Sequence, residues 1–287
     1  MIAQLSLAIL LTQTGYVRSR VDSDDPMSQC LWWPENTAIV LHQNNAGNPE
    51  NNGTEFAAFG KAVTAWQTQL NSCSSLTIAD GTRTDSRQTG LFDDQDNQNV
   101  ILFRQTKCTD SVAPTDACWK EENDDCGTKY DCWQHQAAAI AITTTSYNPK
   151  TGRILDSDIE FNTPSFVFTT VDSPPCPSVE LVSQSCVASD IQNTATHELG
   201  HLLGLSHIGQ AMSTMAPSAK LGETSKRLLD SGTARFVCEV YPAGKPSRTC
   251  VLKTVEPTLG KSSGCSSAPV AFVGLALATL LRRRRRT

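Results

Sequence analysis

One eleven-residue stretch constrains this chain more than any other feature, because it fixes three histidines, a glutamate and a glycine at set intervals. It reads H-E-x-x-H-x-x-G-x-x-H and runs from His197 to His207. On a helix, His197 and His201 lie one turn apart on the same face, so both imidazoles can reach one metal ion. Glu198 lies beside the first of them, near enough to act as a general base. The spacing therefore predicts a zinc-binding helix.

The third histidine, His207, requires this helix to stop before it. At 3.6 residues per turn, a continuous helix would point His207 away from His197 and His201. Gly204 can end the helix, because glycine adopts a left-handed conformation without steric cost. Three histidines then hold the ion and a fourth coordination position stays open, which is typical of catalytic zinc sites. A bare H-E-x-x-H can arise by chance in a surface helix, but five fixed positions favour the metal site.

The extended motif and a methionine downstream resemble the metzincin metallopeptidases, and in particular the matrixins. The segment Ser213-Thr214-Met215-Ala216-Pro217 is similar to the matrixin methionine turn, with Pro217 at the matrixin spacing from Met215. Met212 is the alternative turn methionine, and by itself either one could be an ordinary core residue. The resemblance implies an α+β fold, in which a twisted, mostly parallel sheet with an antiparallel edge strand accompanies the zinc-binding helix and the methionine turn.

The same resemblance implies an exported zinc-dependent endopeptidase that hydrolyses peptide bonds in proteins or peptides. It makes Glu198 the catalytic residue. One catalytic zinc ion would be bound by His197, His201 and His207. The residues that support the site would be Gly204, Met215 and Pro217. The alternative is a non-catalytic surface adhesin that contains zinc. Structural zinc sites are closed by four protein ligands, so three histidines with a neighbouring glutamate favour the enzyme.

The resemblance also has departures that concern the substrate pocket. Matrixins usually have tyrosines one and four residues after the turn methionine, where this chain has Ala216 and Ala219. Ile208 stands where matrixins usually have serine or threonine. We therefore expect a less aromatic pocket that accepts a wider range of side chains. By the resemblance, the strand around Ala139 to Ile142 would pair with an extended substrate.

The resemblance implies a matrixin-like domain over residues 27–243, and hydrophobic periodicity predicts helices and strands within it. Apolar residues three and four apart predict a helix from Thr54 to Leu70, and a second apolar pattern predicts a closing helix from Ser225 to Tyr241. Asp190 or Thr194 can cap the zinc-binding helix. Apolar, β-branched or alternating runs predict strands over Thr37–His42, Leu76–Ala79, Asn99–Arg104, Ala137–Thr145 and Ile154–Phe161.

Eleven cysteines without any Cys-x-x-Cys pair indicate disulfides in an exported protein rather than a zinc ribbon. Ten of them would suit five bridges, while Cys265 stands apart near the C-terminus. The stretch from Cys108 to Cys132 holds four cysteines and predicts a disulfide-tied insertion. Short loops favour Cys176 with Cys186 and Cys238 with Cys250, although the spacing leaves the connectivity open.

Charge gives two further expectations. The net charge of −5 gives no support for general nucleic-acid binding. Asp93, Asp94 and Asp96 could bind calcium, but the alternative that we favour is a solvated acidic loop.

Both ends of the chain carry targeting features. Residues 1–20 contain an apolar run of signal-peptide length and predict an export segment. Residues 244–264 form a linker rich in Gly, Ser, Pro and Lys.

The tail over residues 265–287 consists of an apolar run followed by five arginines. As a helix the apolar run would be only about 21 Å long, which is shorter than the hydrocarbon core of a membrane at about 30 Å. This tail resembles the C-terminal sorting signals of myxobacterial surface proteins. It predicts membrane association, processing by a sorting enzyme at Cys265, and a cell-surface or extracellular protein first anchored in the inner membrane. A plain membrane anchor is the alternative.

Overall fold

The computed structural model describes residues 15–92, 97–120 and 125–250. The strands in this part are β1 (Val17–Arg18), β2 (Ala38–Gln43), β3 (Thr77–Asp80), β4 (Asn99–Arg104), β5 (Ala141–Tyr147), β6 (Ile154–Asn162), β7 (Phe168–Thr169), β8 (Ser189–Asp190) and β9 (Leu205–Ser206). The helices are α1 (Thr54–Cys73), α2 (Cys108–Ser111), α3 (Cys126–Tyr130), α4 (Ile191–Leu202) and α5 (Ser231–Val240).

A five-stranded sheet in the order β3-β2-β4-β6-β5 forms the framework. Its first four strands run parallel, and β5 joins the edge of the sheet antiparallel to β6. This agrees with the expected mostly parallel sheet with an antiparallel edge strand. β6 is buried along almost its whole length, which suits a strand that has a neighbour on each side. β5 thus lies at the border of the sheet, beside α4.

Two predicted elements begin four to six residues later than expected, each for a local reason. The expected strand over Ala137–Thr145 begins only at Ala141, because the side-chain amide of Asn162 donates to the carbonyls of Ala137 and Ala139 at 3.2 and 2.8 Å. The expected closing helix from Ser225 begins at Ser231. Its true N-cap is Asp230, whose carboxylate accepts from the backbone N–H of Gly232 at 2.8 Å.

The hydrophobic core lies between the sheet, α1 and α4. On α1 the fully buried side chains include Phe59, Trp66 and Leu70, which recur at helical spacing. The Trp66 indole N–H donates to the carbonyl of Thr196 on α4 at 2.9 Å. This bond and the surrounding apolar contacts fix the helix that carries the histidines against the rest of the domain.

Five disulfides cross-link the described part of the chain: Cys30–Cys250, Cys73–Cys238, Cys108–Cys132, Cys118–Cys126 and Cys176–Cys186. The predicted insertion tied by four cysteines and the pair Cys176–Cys186 are confirmed. The expected pair Cys238–Cys250 is wrong. The C-terminal end of α1 packs against α5, which brings Cys73 to Cys238 and leaves Cys250 to reach Cys30.

The folded domain extends beyond the expected bounds of 27 and 243. Before residue 27, Val17–Arg18 pairs antiparallel with Leu205–Ser206 of β9. After residue 243, the Cys250 disulfide ties the start of the expected linker to Cys30. None of the helices in the described ranges is long and apolar enough to cross a membrane.

Several expectations fall outside the described residues. They are most of the export segment, the carboxylates Asp93, Asp94 and Asp96, the rest of the linker, and the tail over 265–287 with Cys265. The export signal, calcium binding and the sorting signal therefore stay predictions.

Candidate metal centre

The helix α4 is fixed at its start and along its inner face. Asp190 is its N-cap, and its carboxylate accepts from the backbone N–H of Asn193 at 2.7 Å. Ile191, Ala195 and Leu199 are fully buried at intervals of four residues, so this face belongs to the core. His197 and His201 consequently lie on the side of the helix that borders the cleft.

Three imidazoles converge at one point. The Nε2 atoms of His197 and His201 are 3.2 Å apart, and each lies 3.1 Å from the Nε2 atom of His207. They form the one group of three or more potential ligand side chains within the described ranges that could hold a metal ion. His197 is buried, while His207 is exposed on the rim of the site.

The protonation of the three imidazole rings favours binding of a metal cation over hydrogen bonds between the rings. His197 Nδ1–H donates to the Thr214 carbonyl at 2.7 Å, and His201 Nδ1–H donates to the Leu205 carbonyl at 2.8 Å. Burial lowers the pKa of all three histidines, which favours neutral rings whose Nε2 lone pairs face one another. A tetrahedral zinc ion at about 2.0–2.1 Å from each nitrogen would set them roughly 3.3 Å apart. The residues present therefore fit a zinc ion.

Gly204 allows the chain to bring His207 back to the other two. The helix ends at Leu202, and Gly204 adopts a φ of +94°. A Cβ atom at this position would lie 2.7 Å from the carbonyl oxygen of Leu31. Both the left-handed conformation and the close approach of another backbone therefore require glycine.

The segment predicted to be the methionine turn packs against the helix that carries His197 and His201. Met215 is buried, whereas Met212 is 77% exposed. The Met215 thioether packs against Gly200 so closely that any side chain at position 200 would collide with it. The turn also holds the histidine loop, since Ile208 N–H donates to the Met215 carbonyl at 3.0 Å.

Asp230 anchors this turn from the next element of the chain. Its carboxylate accepts from the Ser213 hydroxyl at 3.0 Å and from the Thr214 N–H at 2.8 Å, while also capping α5. The Thr214 carbonyl can therefore stay oriented toward His197. Asp230 was not singled out in the sequence, because nothing in its local pattern distinguishes it from an ordinary helix cap.

Glu198 is a buried carboxylate beside the three histidines. Burial raises its pKa to about 7, although the hydrogen bond from Thr143 and the nearby His207 work in the opposite direction. The Thr143 hydroxyl on β5 donates to Glu198 Oε2 at 2.6 Å. Thr143 is a site residue that the sequence did not reveal, since it lies 55 positions away with no motif around it.

A cavity of about 320 Å³ opens next to Glu198 and His197. Its walls are mostly apolar and come mainly from three parts of the chain: residues 138–142 leading into β5, residues 193–198 of α4, and Ala216 to Ala219 after the turn methionine. Phe166 and His207 also line it. Pro217 is part of this wall. Ala216 and Ala219 are both in the lining, and Phe166 is its aromatic residue, so the expectation of a less aromatic pocket stays a prediction. The buried Lys226 also lines the cavity, and no motif in the sequence had pointed to it.

Comparison with known families agrees with this geometry. The family model described as Matrixin matches residues 82–241, which is more than half of the chain and includes the three histidines, Glu198 and Met215. No curated protein matches the chain.

Proposed function

This chain belongs to the matrixin family of zinc-dependent metallopeptidases, and we propose on that basis that it is an endopeptidase whose catalytic base is Glu198. The observation that carries the proposal is the convergence of three Nε2 atoms, 3.1–3.2 Å apart, beside this buried carboxylate. In the proposal His197, His201 and His207 hold zinc, and Gly204, Met215 and Pro217 support the site. A zinc ion bound there would act as a Lewis acid toward water and the scissile carbonyl.

Glu198 performs the proton transfers in this mechanism. With a pKa raised to about 7, its carboxylate can take a proton from the attacking water and later give it to the leaving amine. The Thr143 hydroxyl holds one carboxylate oxygen, so the other is directed to the reacting atoms. Glu198 is itself buried, which strengthens its electrostatic interactions.

The edge strand β5 provides the place for the substrate backbone. Among the described strands it pairs only with β6, so its other side can accept an extended peptide by strand addition. Thr143 on the same strand contacts Glu198. A peptide paired to β5 would therefore pass directly in front of the histidines, with one side chain entering the cavity.

Chelation of the metal tests the proposal against a zinc-containing adhesin. We expect the purified protein to contain about one zinc per chain and to cut denatured casein. A chelator should abolish cleavage, and added zinc should restore it. A zinc-loaded protein that cuts no protein or peptide would instead support the adhesin.

For the location of the enzyme, we propose export followed by anchoring through the tail over 265–287. The five disulfides support an oxidising compartment. A sorting enzyme acting at Cys265 would remove Arg282 to Arg286 and leave the protein at the cell surface. We expect the intact mass of surface-recovered protein to lack the arginines, and Cys265→Ser to keep the protein in the inner membrane. A mass that retains the five arginines would instead indicate a plain anchor.

A further inference from the structure

The buried Lys226 introduces a positive charge into the cavity beside the metal centre. It lies in the short 3₁₀ turn Ser225–Arg227 and is only 4% exposed. It is the only lysine or arginine among the described residues that line this cavity. Lysine is almost never fully buried unless it is paired, so its partners decide what the cavity can bind.

Two groups hold the ammonium in place. Lys226 Nζ donates to the Ser218 carbonyl at 2.7 Å and to Glu223 Oε1 at 2.8 Å. The backbone of Lys226 is also fixed, because its N–H donates to the Asn193 side chain at 2.8 Å. An ammonium has three N–H donors, so these bonds leave one donor for a ligand in the cavity.

The carboxylate that pairs with Lys226 lies outside this cavity. Glu223 does not line this cavity but the neighbouring depression, where its carboxylate also accepts from Lys220 N–H and the Ser225 hydroxyl. Arg227, the next cation along the chain, forms ion pairs with Asp190 and Asp172. The cavity therefore has mostly apolar walls, to which Phe166 contributes, with Lys226 in its lining and Glu198 beside the histidines.

The proposed mechanism decides which substrate residue enters this cavity. Glu198 lines the cavity and gives its proton to the leaving amine, and that nitrogen belongs to the residue after the cut. With its nitrogen at Glu198, this residue would place its side chain at the mouth of the cavity. The side chain before the cut lies on the other side of the reacting carbonyl.

We propose that Lys226 makes the enzyme select an acidic residue, above all glutamate, immediately after the scissile bond. This replaces the broad acceptance of side chains that Ala216 and Ala219 alone would predict. This inference rests on the proposed peptidase function. The methylenes of a glutamate would contact the alanine walls, and its carboxylate would accept the remaining donor of Lys226. A charge-assisted hydrogen bond is stronger than a neutral one. Arginine or lysine at the same place would meet a like charge.

Sequencing of new N-termini tests the preference on the wild-type enzyme. The zinc-loaded protein is given a mixture of denatured proteins, and the first residue of each new N-terminus is the residue after the cut. Matched peptides with Glu, Gln, Leu or Arg at that place then give kcat/KM for each. We expect the Glu peptide to exceed the Gln peptide by about tenfold and the Arg peptide to be the poorest.

Variants identify the source of the preference. Lys226→Met should bring the ratio of kcat/KM for Glu over Gln close to one, and the ratio divides out any general loss of activity. Lys226→Gln is the second variant, since its amide can still bond the Ser218 carbonyl if methionine harms folding. Glu223→Gln should raise the ratio, because it removes the competing carboxylate. Lys220→Met, at an exposed lysine on the same loop, is the control and should leave the ratio unchanged.

The outcomes separate this inference from the proposed function. If the Leu peptide is cut while Glu and Gln peptides are cut equally well, the peptidase stands and the role of Lys226 is wrong. A preference for Glu that survives both Lys226 variants would also contradict it. If no peptide is cut by the zinc-loaded wild type, the proposed function fails and the inference falls with it.

Discussion

Glu198→Gln is expected to lower peptide hydrolysis by a factor of about 10²–10⁴ while zinc stays bound. Glutamine keeps the shape of the side chain and can still accept the Thr143 hydrogen bond through its oxygen. It has no basic site to take a proton from water, so only the proton transfers are lost. The measurement is kcat/KM on a peptide that the wild type cleaves, together with the zinc content of both proteins.

Glu35→Gln is the matched control for this change. Glu35 is exposed and is not among the residues around the histidines, so the same substitution there should leave hydrolysis unchanged. Activity of Glu198→Gln equal to that of the wild type would exclude Glu198 as the base. A loss of zinc in this variant would show that the substitution disturbed the metal centre instead.

His207→Ala is expected to remove both zinc binding and activity. The two imidazoles on α4 would remain in place, because their Nδ1 atoms are bonded to the Thr214 and Leu205 carbonyls. Two nitrogens on one helix face leave a tetrahedral ion half coordinated, and tight zinc binding needs at least three protein ligands. We expect sub-stoichiometric zinc after dialysis and hydrolysis at background.

Thermal melting separates this effect from misfolding. A ligand that binds only the folded state raises its stability by mass action. Added zinc should therefore raise the melting temperature of the wild type but not that of His207→Ala. His42→Ala, which changes a histidine whose ring bonds the Thr82 carbonyl away from the cleft, should retain the zinc response. A full zinc response in His207→Ala would contradict its role as a ligand.

The sequence could predict those parts of the site that follow from local geometry. The interval between His197 and His201 is one helical turn, and the position of Gly204 is where a helix has to end if His207 is to return. Apolar, β-branched or alternating runs likewise indicated the strands of the sheet. These features depend on residues within a few positions of each other, so the backbone periods of helix and strand are enough to read them.

Other parts of the site were decided only by the tertiary structure. Thr143 meets Glu198 because the edge strand packs against α4, and Lys226 enters the cavity because the turn that carries it packs under Asn193. The disulfides likewise could not be paired from the sequence. The short spacing along the chain favoured Cys238 with Cys250, yet the packing of α1 on α5 joins Cys238 to Cys73. These contacts connect residues far apart in the chain, and no local period specifies them. They form only when the helices pack against the sheet and water is excluded from the core.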